Sequence, residues 1–137
     1  MAKKKITTKK REDSISRNKV RNTFSFYLRA NRIHVFVDSL RGIGCPRFIR
    51  FYLQENGHTL AIAPYTKKDF HSHRVPPAVY TGTGTHGMEV SSMKLCQIIA
   101  RMYHWDSDHS YRVPGFVLQD RTAAIFNLGL AEVIDKP

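Results

Sequence analysis

The sequence predicts an α+β fold: two β-hairpins and one main amphipathic helix in a small barrel-like or two-layer domain, behind a disordered basic N-terminal arm. Three observations predict it. An Asn56-Gly57 pair separates two strand-like runs. One stripe of core-type residues recurs at helical spacing from Met93 to Tyr103. Apolar residues begin to dominate only after residue 22, so the arm is residues 1–22 and the domain residues 23–137. A chain of 137 residues with 42% hydrophobic composition has enough apolar side chains for one core.

Along the domain, Ile33-His34-Val35-Phe36-Val37-Asp38 reads as a strand because it is short, β-branched and nearly alternating. Ser39 to Pro46 is too short and glycine-rich for more than one helical turn. Arg47–Leu53 and His58–Ala63 then form a hairpin about Gln54-Glu55-Asn56-Gly57, and Asn-Gly suits a type I′ turn with both central φ angles positive. Pro64 closes the second strand, and residues 65–87 are read as a long connecting loop. Ser91 or Ser92 caps the helix, whose stripe is Met93, Cys96, Ile99, Ala100 and Tyr103. A second hairpin runs from Tyr111 to Leu128, with Pro114-Gly115 as a bulge or edge. Strand, helix and hairpin recur in the same order in 23–64 and 88–137, a pseudo-repeat of pattern rather than of residue identity.

Charge separates arm from body. The chain holds 22 Lys+Arg against 11 Asp+Glu, a net of +11. Nine of those cations are in the arm: Lys3, Lys4, Lys5, Lys9, Lys10, Arg11, Arg17, Lys19 and Arg21. With only Glu12 and Asp13 beside them, the arm carries +7 and the body +4. Within the body, Arg29, Arg32, Arg41, Arg47 and Arg50 stand against the single acid Asp38 over residues 29–50. Cations that pair with phosphates release condensed counterions, so a polyanion partner follows. A merely solubilising arm is the bland alternative; an anionic membrane surface lacks the amphipathic stripe it needs.

Catalytic and cofactor signals are weak. Gly82-Thr83-Gly84-Thr85-His86-Gly87 matches a dinucleotide fingerprint in letters only, since Pro76-Pro77 weakens the strand before it and no βαβ unit surrounds it. His71/His73 and the His104–His109 cluster lack stereotyped zinc spacing. No nucleophile elbow is present, and Cys96 falls on the buried stripe. No cofactor, metal or catalytic residue is expected. Phe24, Phe26 and Tyr27 beside Arg29 and Arg32, and Phe48, Phe51 and Tyr52 beside Arg47 and Arg50, either stack unpaired bases or fill the core; the core is favoured. No apolar run reaches the ~20 residues of a membrane span, the N-terminus has no secretory h-region, and two cysteines without CxxC suit a reducing cytoplasm.

Val37-Asp38-Ser39-Leu40-Arg41-Gly42-Ile43-Gly44, followed by Phe48-Ile49-Arg50-Phe51, Glu55-Asn56-Gly57 and Leu60-Ala61-Ile62-Ala63-Pro64, resembles the AbrB/MraZ-type swapped-hairpin regulators. The resemblance implies an interleaved homodimer and DNA contacts from Arg41, Arg47 and Arg50. The usual Gly-Arg-Val/Ile-x-Ile-Pro lead-in is missing from this chain. The expected function is non-enzymatic nucleic-acid binding, DNA before RNA, as a small regulator. The alternative is a mobile-element-encoded, anti-CRISPR-like inhibitor that docks on a nucleic-acid-processing complex.

Overall fold

A computed structural model describes residues 23–82 and 87–135; the basic arm and residues 83–86 of the glycine-rich run lie outside them. The first half of the domain supplies β1 (Thr23–Tyr27), β2 (Arg32–Phe36), α1 (Val37–Gly42), β3 (Phe48–Leu53) and β4 (Thr59–Tyr65). The second supplies β5 (Ser72–Arg74), α2 (Ala78–Thr81), β6 (Gly87–Ser91), α3 (Met93–Tyr103), β7 (Ser110–Val117), β8 (Ala124–Asn127) and β9 (Glu132–Val133). All pairings are antiparallel, in the order β5-β3-β4-β8-β7-β1-β2-β6, with β9 also on β7.

The expected α+β arrangement of two hairpins and one main helix is therefore corrected. Over the described residues the fold is mostly β: nine antiparallel strands in a nearly closed, barrel-like sheet, with three short α-helices. Short strands that pair over long sequence distances make the difference. Thr23-Phe24-Ser25-Phe26-Tyr27 is a strand between β2 and β7, and its phenylalanines are core: Phe24 stacks on Phe126 with centroids 3.6 Å apart. The supposed connecting loop 65–87 contains β5 and α2, and β4 runs through Pro64 to Tyr65, with Pro64 opposite Ile49.

Local chemistry explains the elements that sequence patterning did place. Ser92 caps α3, its Oγ accepting from the Leu95 N–H at 3.3 Å. Cys96 and Ile99 are buried on that helix, but Met93 at the stripe's start is exposed. The β3–β4 hairpin turns at Gln54–Gly57, although not as type I′. Only Gly57 has positive φ, its N–H donates to the Gln54 carbonyl at 2.9 Å, and Asn56 instead accepts from the His58 N–H. The Pro114-Gly115 step is where β7 changes neighbours: Ser110–Pro114 pair with β1, and Gly115–Val117 with β8. A Cβ on Gly115 would come within 2.3 Å of the Ile125 carbonyl oxygen, so this crossing accepts only glycine.

The strand order has a hidden symmetry. Exchanging β1–β4 with β5–β8 maps every neighbouring pair onto another neighbouring pair, except β1–β2. The counterpart β5–β6 is unpaired, and that is the seam at which the barrel stays open. No helix among the described residues is long and apolar enough to cross a membrane.

Candidate functional site

At the β5 edge, β3, β5 and the connection to α2 frame a shallow cavity of about 260 Å³. It is lined by the cations Arg47, Lys68 and Arg74 and by the apolar Phe48, Val75 and Pro77. The sheet register sets this up. Phe48 sits opposite Arg74, and the Val75 N–H donates to the Arg47 carbonyl at 2.8 Å, so the two arginines flank one ladder end. Lys68 arrives from the β4–β5 connection. No described carboxylate lines the cavity, and among the described residues none of its three cations forms an ion pair. Positive charge beside apolar lining residues suits an anionic group attached to a less polar body.

The end of this cavity is braced. Tyr80 donates its hydroxyl to the Pro46 carbonyl at 2.6 Å, joining α2 to the segment before β3, and burial pushes the phenol up to about 12. Arg41 donates to the Tyr80 carbonyl at 3.2 Å. Arg121 in turn donates to the Arg41 and Gly42 carbonyls at 3.0 and 2.9 Å at the C-terminus of α1, where the Arg41 carbonyl also accepts from the Gly44 N–H.

Arg50, three residues further along the chain and within β3, is arranged differently. Its guanidinium lies 3.9 Å over the Tyr65 ring and forms an ion pair with Asp69. Burial alone would raise the Asp69 carboxyl. The His71 backbone N–H, the Tyr65 phenol and the Arg50 guanidinium outweigh it and hold the pKa below the ordinary value. The same carboxylate closes a tight turn: Asp69 Oδ1 accepts from the His71 and Ser72 N–H groups at 2.9 Å, and the Asp69 N–H donates to Ser72 Oγ at 2.8 Å. Phe70 stands at the tip of this turn, 99% exposed.

The cations singled out from the sequence thus divide. Arg47 joins the cavity and Arg41 braces its end, while Arg50 is engaged by Asp69. Arg29 and Arg32 lie around the β1–β2 hairpin, Arg29 4.0 Å from Asp108 and Arg32 2.9 Å from Glu89. The nine arm cations from Lys3 to Arg21 lie outside the described residues. Lys68 and Arg74 are new to the site; their signal was the Lys67-Lys68 pair and the His-Ser-His-Arg run inside the presumed loop. His109 lies 3.7 Å from Asp106 and 3.3 Å from Asp135, and no group of three or more His, Cys, Asp or Glu suited to a metal occurs among the described residues. No known protein family, no curated protein and no solved structure matches the chain.

Proposed function

We propose that this protein is a non-enzymatic nucleic-acid-binding protein whose folded body grips the sugar–phosphate backbone at the Arg47–Lys68–Arg74 cavity. The observation that carries the reading is the gathering around one cavity of three cations from separate segments, none of which forms an ion pair among the described residues, beside apolar side chains. The +7 arm adds sequence-independent affinity by the same counterion release. In this role the chain is a small regulator that occupies DNA without altering it.

Titrating a labelled DNA duplex with the full chain at increasing salt tests it. Each neutralised phosphate contributes about −0.9 to the slope of log K against log salt, so the cavity alone sets a slope of about −2.7. A flat dependence, or no binding of either duplex or single strand at low salt, overturns the reading. A second observation favours protein docking instead: Pro114, Phe116, Ile125 and Leu130 line an apolar groove of about 270 Å³ on the β4–β8–β7 face, with Phe116 and Leu130 exposed. A complex that survives nuclease digestion separates this reading from the first.

A further inference from the structure

We propose that Phe70 is a base-stacking residue and that the ligand of the cationic cavity is single-stranded nucleic acid, or a strand with an unpaired base. The inference rests on the nucleic-acid reading above and sharpens its ligand class.

Phe70 is set apart by degree. Among the described residues the other exposed large apolar side chains, Tyr52, Met93, Ile98, Met102, Phe116 and Leu130, show between 37% and 60% of their surface to solvent, whereas Phe70 shows 99%. Such a side chain on a floppy loop would fold back onto the nearest apolar surface. The turn beneath Phe70 prevents this. Asp69 accepts from the His71 and Ser72 N–H groups, donates its own N–H to Ser72 Oγ, and is paired with Arg50, which is itself seated on Tyr65. An Asp–Ser closure of four residues, anchored to the sheet by an arginine, holds the ring outward.

The surroundings select the partner. Lys68 lies two residues before Phe70 and lines the cavity, and Arg74 follows four residues after it on β5. A polyanion drawn to these cations passes the aromatic tip. A ring face gains by stacking only where a base face is uncovered, and in a duplex both faces of each base are covered by its neighbours. Phosphates in the cavity and a base on Phe70 are the two halves of single-strand recognition: an electrostatic track and a stacking platform.

Fluorescence anisotropy with labelled oligodeoxythymidylate and with a duplex of equal length tests the proposal on the full chain. Wild type, Phe70→Ala and Phe70→Trp are compared, with thermal melts showing that all three are folded. Phe70→Ala is expected to weaken single-strand binding roughly 5- to 150-fold, the range for one lost base–aromatic stack, with duplex affinity and salt slope unchanged. Phe70→Trp is expected to retain wild-type affinity. Unchanged single-strand binding by Phe70→Ala overturns the stacking role while leaving salt-dependent binding intact, and assigns the exposed ring to a protein contact. Equal losses on single strand and duplex overturn it as well. Failure of the wild type to bind either ligand overturns the underlying nucleic-acid reading together with this one.

Discussion

Two segments of the domain pair aromatic residues with cations. Residues 24–32 carry Phe24, Phe26 and Tyr27 beside Arg29 and Arg32; residues 67–74 carry Phe70 beside Lys67, Lys68 and Arg74. By composition the first is the better base-binding segment and the second a connector. In the fold the roles are reversed. Phe24 and Phe26 are wholly buried on β1, and both arginines face carboxylates from the far side of the chain. Phe70 is in solvent, and Lys68 and Arg74 pair with no carboxylate among the described residues. Which charges and rings are available is thus a property of tertiary pairing. Glu89 and Asp108, which reach Arg32 and Arg29, come from β6 and from the turn after α3, so nothing near residues 29–32 announces them.

The sharpest way to break this contrast is to truncate one aromatic from each segment. Phe24→Ala removes a ring stacked on Phe126 and is expected to destabilise the fold by about 3–5 kcal/mol, as for a fully buried phenylalanine. Phe70→Ala is expected to change stability by no more than about 0.5 kcal/mol, because almost no surface is released from packing. Chemical denaturation measures both. Equal destabilisation would mean that Phe70 packs in solution and that the two segments are alike.

Charge provides the next test. Replacing Arg47, Lys68 and Arg74 together by Ala is expected to lower nucleic-acid affinity on the order of 100-fold near 0.1 M salt and to make the salt slope shallower by about 2.7. Replacing Arg29 and Arg32 by Ala is expected to change affinity by no more than about 2-fold, since exposed pairs of this kind neutralise charge while contributing little stability. If the double variant lost as much as the triple, the ion pairs at Asp108 and Glu89 would be exchanged for phosphates on binding, and the division of the arginines would fall.

What was legible in the sequence follows from how local each signal is. Helix α3 shows its cap at Ser92 and buries Cys96 and Ile99, because eleven residues suffice to display a helical period. The β3–β4 hairpin is legible because its strands are adjacent and a glycine marks the turn. Asn56 misleads only about turn type, since its side chain bonds the His58 N–H instead of letting its backbone enter the left-handed region. β5 is three residues long, too short for any alternation to show, and β1 abuts the basic arm while pairing with β7 near the other end of the chain. Of the cavity, Arg47 stood out among the arginines of residues 29–50. Lys68 and Arg74 did not, because only the β3–β5 pairing brings them to it.

The smallest effect concerns β5 itself, the edge strand that carries Arg74. His73 is half-buried there, edge-on to Phe51 with ring centroids 5.3 Å apart, and burial holds its pKa below the ordinary 6.5. The unfolded chain therefore takes up this proton at a higher pH than the folded one, so stability falls as pH drops through 6.5 toward the folded value and stays lost below it. His73→Phe keeps an aromatic ring against Phe51 and removes the titration. The melting temperature of the variant minus that of the wild type is expected to grow as pH is lowered from neutral through that window. Hydrogen exchange would show the wild-type loss first at β5, a short edge strand that can open by itself, and not at β1, which is held on both sides by β2 and β7. A difference that does not vary with pH would place His73 in water. The cavity wall would then be no more sensitive to acid than the hairpin it is contrasted with.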